Sequence, residues 1–263
     1  CYVLEGGEYN FYAGTDVRTA EKAASVTFEE TVAVKQLEQA LAPVMPFERL
    51  KPACVAKAIA RSIEKVPLYE FDEREKRLAD LPHELEVTGD RGIKLYDIAD
   101  GNNTLEEFTA QLSDYDLSCI IRGEGMGSPK VTAGTASAFG GVSDSLASYG
   151  IPCACCADGP AGIRLDCGTK AFSLPNGTLI ASTFNKELVS ELFEFLGLEL
   201  AANKVDCLLG PGMNIHRYVL NGRNFEYFSE DPFLTGTMAA AELKGLHKSG
   251  AEGTIKHFCG NNQ

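Results

Sequence analysis

Ile151-Pro152-Cys153-Ala154-Cys155-Cys156-Ala157-Asp158-Gly159-Pro160 decides the fold. Seven uncharged residues run from Ile151 to Ala157, then a carboxylate arrives, then a Gly-Pro turn. A strand with water on one face alternates apolar and polar, so a run apolar throughout predicts a strand covered on both faces. The same rhythm recurs on either side. Leu117-Ser118-Cys119-Ile120-Ile121 precedes it, and Cys207-Leu208-Leu209 and Gly253 to Phe258 follow. Helical patterns separate these runs. Thr104-Leu105-Glu106-Glu107 reads as a capping box, with Leu105, Phe108 and Leu112 at helical spacing behind it. Leu188, Leu192, Leu196 and Leu200 share one helix face, and a further helix is predicted from Thr235 to Ser249. Strand runs alternating with helices predict an α/β fold around a parallel sheet. Residues 104–263 have room for about four β/α units, which is half of a (β/α)8 barrel of ~250 residues or a complete doubly wound domain. Periodicity leaves both open.

Upstream the reading is less regular. Residues 36–103 are punctuated by Pro43, Pro46, Pro52, Pro67 and Pro82, and read as a connector with short helices, one of them through Cys54, Ile59, Ile63 and Val66. Gly7-Glu8-Tyr9-Asn10-Phe11-Tyr12-Ala13-Gly14 alternates around aromatics and ends in a glycine turn, as a sandwich strand does, and Val32-Ala33-Val34 reads as another. Residues 1–35 are too few to form a sandwich alone and are expected to be the end of one. Cys1-Tyr2-Val3-Leu4-Glu5 has neither a starting Met nor a signal-peptide pattern, and reads like the inside of a longer protein.

Composition narrows the function. The net charge of −13 excludes a nucleic-acid binder, which needs a basic face to neutralise phosphates. No run approaches the ~20 apolar residues of a membrane span. Nine cysteines, three of them (Cys153, Cys155 and Cys156) bunched on one apolar run, and four histidines that supply no second pair for a zinc site predict reduced, buried thiols in a cytoplasmic protein. There is no glycine-rich phosphate fingerprint, and no cofactor or metal is expected.

In either architecture, function gathers where strands end. Asp158 stands directly after its run, with Arg164 six residues on. Asn214, His216, Arg217 and Arg223 follow the third run, and Lys256 and His257 close the fourth. A carboxylate accepts from neighbouring hydroxyls while Arg, Lys and His donate. That set suits a polyhydroxylated neutral ligand, and equally a carboxylic acid or a phosphate ester.

Three motifs then add a resemblance. Asp158-Gly159-Pro160-Ala161-Gly162-Ile163-Arg164, the segment from Gly222-Arg223-Asn224-Phe225-Glu226-Tyr227 through Phe228-Ser229-Glu230-Asp231-Pro232, and Lys256-His257-Phe258-Cys259-Gly260-Asn261-Asn262-Gln263 are similar to the DGPxGxR, GRNFEYFSEDP and KHFxxNNQ motifs of family 3 glycoside hydrolases, in the β-glucosidase-like, permuted-order subgroup. The resemblance implies that residues 104–263 are the N-terminal half of the (β/α)8 barrel and residues 1–35 the end of a fibronectin-III-like β-sandwich. It implies retaining hydrolysis of terminal β-D-glucosyl residues from a β-glucoside or cello-oligosaccharide, with β-xylosidase activity or a non-catalytic sugar-binding scaffold as alternatives. Asp158 would bind two sugar hydroxyls, typically O4 and O6, and Arg164, Arg223, Lys256 and His257 would donate to the others. Arg217 and the Glu230-Asp231-Pro232 corner would hold the loop carrying Arg223. Tyr218-Val219-Leu220 departs from the family in lacking a proline, and Asn261-Asn262 departs from the branch that carries KHFPGHG.

Retaining hydrolysis needs a nucleophile and an acid/base. The resemblance puts the nucleophile beyond the third motif and the acid/base in an α/β sandwich domain, so no catalytic residue is expected within this chain and the chain alone is expected to be inactive. The partners implied are the sugar and the remaining parts of the same enzyme; a homodimer is left open. Adjacent strand residues face opposite ways, so Lys256 and His257 can share a pocket only where strand geometry has ended.

Overall fold

The computed structural model describes residues 2–37, 43–55, 58–68 and 72–262. Cys1, Gln263 and the side chains of Cys54 and Ile59 lie outside the described residues. The chain divides into two compact units, Cys1–His83 and Glu84–Gln263.

The first unit is built of antiparallel pairs. β1 (Tyr2–Leu4) pairs with β4 (Val32–Lys35), β2 (Gly7–Ala13) with β3 (Glu21–Phe28), and β5 (Glu48–Val55) with β6 (Ala58–Lys65), followed by α1 (Glu73–Ala79). The helix expected through Cys54, Ile59, Ile63 and Val66 is therefore a hairpin, with Cys54 opposite Ile59. Glu64 of β6 pairs across the ladder with Arg49 and, at 3.2 Å, with Lys51. Opposite charges facing across two strands favour this ladder over a helix, which would separate them.

The second unit begins with three short helices, α2 (Leu95–Ala99), α3 (Leu105–Ala110) and α4 (Asp114–Arg122). The capping box at Thr104 forms as read: Glu107 N–H donates to Thr104 Oγ1 at 3.2 Å, and Thr104 N–H to Glu107 Oε2 at 3.0 Å. Residues 84–103 pack with this unit, because Ile93 joins Phe108, Leu112 and Tyr149 in one buried cluster. The run Leu117 to Ile121, expected as a strand, lies inside α4. Ser113 caps it with a second box, its Oγ accepting from Asp116 N–H at 3.2 Å while Asp116 Oδ2 accepts from Ser113 N–H at 3.1 Å. Cys119 is buried whereas Ile121 is 86% exposed, so the apolar run is only half used.

A four-stranded sheet forms the centre, with spatial order β10-β9-β8-β7. Its strands are β7 (Ser137–Gly140), β8 (Cys153–Asp158), β9 (Cys207–Leu209) and β10 (Glu252–Gly253); α5 (Asp144–Ser148) joins the first two. β8, β9 and β10 are parallel, as expected, while β7 is antiparallel to β8. On its outer side β7 is met by Glu124, which exchanges backbone hydrogen bonds with Ala138 at 2.8 and 2.9 Å. α6 (Gly177–Ala181) and α7 (Lys186–Ala202) connect β8 to β9, and α8 (Pro232–Lys248) connects β9 to β10. The expected leucine face of α7 turns slightly: Val189, Phe193, Leu196 and Leu200 are buried, and Leu188 is 49% exposed. They pack with Ala157 and Leu208 of the sheet and Met238 and Leu246 of α8. Each fully buried large side chain there contributes about 1.5–3 kcal/mol.

Among the described residues the thiols are free. Cys119, Cys155, Cys156 and Cys207 are buried, but Cys167 and Cys259 are exposed, so uniform burial does not hold. No helix among the described residues is long and apolar enough to cross a membrane.

Glu242 breaks the apolar stripe of α8. It is 2% exposed, and burial alone pushes its carboxyl well above the ordinary range. A raised carboxyl contributes stability below its unfolded value of about 4.3, and loses it as pH rises toward the folded value. Denaturation of wild type and Glu242→Gln across pH 5 to 8 should show a difference that widens in favour of the variant, reaching about 1–3 kcal/mol. A difference constant with pH would contradict the reading.

Candidate functional site

Asp158 is the last residue of β8, and the turn after it is shaped by glycine. Gly159 has φ +125, and a Cβ there would meet Gly162 O at 1.8 Å; Gly162, at φ +115, is equally closed by Phe172 O at 2.2 Å. Only glycine permits so tight a return. Arg164 N–H donates to Asp158 O at 2.8 Å and closes the loop.

Lys256 comes from the far side of the sheet. β10 ends at Gly253, and Lys256 makes only an isolated parallel bridge with Gly212. The Lys256–His257 peptide is cis. Both residues lie beyond the end of β10, where strand alternation no longer sets the direction of their side chains. Lys256 Nζ lies 2.6 Å from Asp158 Oδ1, with the two side chains 17% and 37% exposed. Burial pushes the Asp158 carboxyl up, but the Lys256 ammonium, the Gly159 N–H and the Arg164 charge together hold it below the usual carboxylate range.

The segment between β9 and α8 brings the remaining groups. Arg223 Nε donates to Glu226, whose carboxylate side chain is 1% exposed, and this pairing raises the guanidinium's affinity for its proton. The Arg223 guanidinium also lies 5.9 Å from the Phe225 ring centroid. Asn221 Oδ1 accepts from Arg223 N–H at 2.8 Å, and Asn221 Nδ2 donates to Asn261 O at 3.1 Å. Asn224 Nδ2 donates to Tyr218 O at 2.8 Å. Arg217 is exposed and has no ion pair or hydrogen bond among the described residues, so the loop-holding role expected of it falls to Asn221 and Asn224. Asp231 does hold the corner, capping α8 by accepting from Phe233 N–H at 3.0 Å and Leu234 N–H at 3.3 Å.

His257 is half-buried. Its Nδ1 lies 3.1 Å from the Tyr227 hydroxyl, and its backbone carbonyl accepts from Asn214 Nδ2 at 2.9 Å. Burial first, then the Arg223 charge, push its pKa down, so the ring is neutral at pH 7. Arg164 donates through Nε to Asp166 at 2.9 Å and its side chain is 63% exposed. Of the five expected residues, Asp158 and Lys256 are in direct contact, while Arg164 is held by Asp166, Arg223 by Glu226 and His257 by Tyr227. Sequence reasoning missed Glu226, Tyr227 and Asn221, although the first two lie inside the second motif. Charge balance was the available signal, since a guanidinium near a ligand site requires a buried carboxylate to aim it. Among the described residues no group of His, Cys, Asp and Glu side chains could hold a metal ion.

Comparison with known proteins adds the following. A profile of the glycosyl hydrolase family 3 N terminal domain matches residues 84–263. The chain is 66% identical over 262 residues to a beta-glucosidase of Ruminococcus albus, covering 100% of this chain and 27% of that protein. It is 32% identical over 289 residues to beta-glucosidase A of Butyrivibrio fibrisolvens, again over 100% of this chain but 33% of the relative. Among solved structures, a beta-glucosidase from Paenibacillus barengoltzii superposes with a TM-score of 0.87 at 52% identity, over 100% of this chain and 29% of that one. Beta-glucosidase 3B from Thermotoga neapolitana, solved in complex with glucose, gives a TM-score of 0.55 at 37% identity over 61% of this chain and 24% of that one. The chain thus spans a third or less of the length of these relatives.

Lys256 supplies the largest of the influences that lower the Asp158 carboxyl, and burial opposes them. In Lys256→Met the burial remains and the ammonium is gone. An NMR titration of the Asp158 carboxyl carbon should then show its pKa rising in the variant, and an unchanged value would mean that the pair does not form.

Proposed function

The chain belongs to glycosyl hydrolase family 3, and from that premise we propose that it supplies the sugar-binding part of a retaining β-glucosidase. The observation that carries the reading is Asp158, held ionised at the end of β8 by Lys256 while its side chain stays 37% exposed. Lys256 and the Gly159 N–H take two of the roughly four acceptor positions of the carboxylate, and the rest stay open to a ligand. Two vicinal hydroxyls can donate to such a carboxylate, and each charge-assisted bond is worth more than a neutral one. Around it stand Lys256, His257, Arg223 and Arg164, which would donate to the remaining sugar oxygens. Their order around one carboxylate suits the non-reducing glucosyl unit of a β-glucoside or cello-oligosaccharide.

The strand order supports a (β/α)8-type barrel over a doubly wound sheet. β8, β9 and β10 add one after another on the same side, without the reversal that marks a doubly wound fold. On this reading 84–263 belong to the barrel and the antiparallel pairs of 1–35 to a fibronectin-III-like sandwich, and the protein acts in the cytoplasm. Three carboxylates at this end of the sheet are occupied, since Asp158 pairs with Lys256, Glu226 with Arg223, and Asp231 caps α8, and Glu230 is exposed without an ion pair among the described residues. The nucleophile and the acid/base of the retaining reaction are therefore assigned to other parts of the enzyme.

Two outcomes test this. Asp158→Asn keeps the shape but loses charge-assisted acceptance, so glucose affinity, measured by titration calorimetry, should fall about tenfold to a hundredfold. Residues 1–263 alone should release no p-nitrophenol from an aryl β-glucoside above the buffer rate while retaining cooperative unfolding. Turnover within about tenfold of a complete family member would instead return Glu230 or Asp231 to consideration as catalytic groups.

A further inference from the structure

Tyr227 is fully buried, and its hydroxyl sits between two partners. Asn261 Nδ2 is 3.0 Å from the hydroxyl oxygen. An amide nitrogen has only hydrogens to offer, so the oxygen is the acceptor in that bond. Its own hydrogen is left for the second partner, His257 Nδ1, 3.1 Å away. A hydroxyl that donates to Nδ1 needs a lone pair there, and a neutral imidazole with a free Nδ1 carries its proton on Nε2. From this chain of donors and acceptors we infer that Tyr227, oriented by Asn261, is a positioning residue that fixes His257 as the Nε2–H tautomer and presents it to the sugar as a hydrogen-bond donor.

The surroundings allow little alternative. The Tyr227 ring lies edge-on to His257, with centroids 6.2 Å apart, and stacks on His216 at 6.5 Å. Asn261 is anchored in turn, its carbonyl accepting from Asn221 Nδ2 at 3.1 Å. Asn214 holds the His257 carbonyl at 2.9 Å, so ring and backbone are both located. The lowered basicity of His257 keeps the ring neutral, the only state in which tautomers differ. His216 offers a contrast. Its Nε2 lies 3.0 Å from Asn224 O, which can only accept, so it too carries the Nε2 proton but spends it inside the loop.

The chemical consequence is discrimination. Asp158 is a fixed acceptor, and a fixed donor beside it demands a ligand presenting both kinds of group in one arrangement. The other tautomer would turn His257 into an acceptor and admit a different hydroxyl orientation. The inference rests on the sugar-binding reading of His257 given above.

The test is long-range proton–nitrogen NMR on the full 15N-labelled chain at pH 8, where the four histidines are few enough to resolve. Wild-type His257 should show an unprotonated Nδ1 and a protonated Nε2, and added glucose should shift the Nε2 signal. Asn261→Asp replaces the amide by a group that only accepts. Tyr227 must then donate to Asp and accept from His257, so the His257 pattern should invert to Nδ1–H, with glucose bound about three- to tenfold more weakly, the loss of one neutral hydrogen bond. Tyr227→Phe should leave a mixture of both tautomers. The His216 pattern should stay unchanged in each variant, which reports that the site is folded. A wild-type His257 protonated on Nδ1, or an Asn261→Asp pattern identical to wild type, overturns the positioning role whether or not glucose binds. The inferred tautomer with an Nε2 that ignores saturating glucose overturns the sugar role of His257, and the inference with it.

Discussion

The ion pair between Asp158 and Lys256 joins residues 98 positions apart in sequence, and the site depends on the register that lets them meet. Asp158 lies opposite Leu209 in the β8–β9 ladder. Two residues further along that edge, Pro211 O accepts from Lys256 N–H at 3.0 Å. Three strand ends thus arrive at one level, and the pair closes across them. A one-residue slip in either ladder would turn one of the two side chains to the other face of the sheet. A partly buried pair of this kind adds little net stability, because desolvation offsets much of the attraction. Its contribution is to hold a carboxylate ionised at a fixed point.

Around that point the loop from Asn214 to Ser229 is located by polar contacts. Tyr218, Val219 and Leu220 are 48%, 80% and 78% exposed, so apolar packing fixes only the end of this segment, at the buried Tyr227 and Phe228. Asn214, Asn221 and Asn224 do the work through amide groups that can donate from one end and accept at the other. Gly212 leaves room for the Glu226 carboxylate, since a Cβ there would stand 2.8 Å from Oε2. The family proline missing from the loop is offset by hydrogen bonds that tie it to Asn261 and Asn262.

Much of this was legible in the sequence, and what was not has identifiable causes. The run Ile151 to Ala157 is a strand ending in Asp158 because it is apolar, short and stopped by Gly-Pro. Leu117 to Ile121 looks alike but is helical, since composition is silent on the cap: Ser113 and Asp116 carried the signal three residues apart. The pattern at Cys54 to Val66 misled because spacing alone takes no account of Glu64 facing Arg49 and Lys51 across a hairpin. The five proposed ligand residues were chosen through strand ends and motif likeness. Glu226, Tyr227 and Asn221 were not, because each acts on another side chain of the site, a relation that exists only once the chain has folded.

The antiparallel β7 has a consequence for how the sheet is assembled. A parallel array exposes two equivalent growing edges, and an exposed edge recruits whatever strand reaches it. Here one edge is sealed: β7 runs against its neighbour and its outer groups are taken by Glu124. Addition of strands is thereby made directional, proceeding from β8 through β9 to β10. The edge at β10 is then the side on which a further strand can be added.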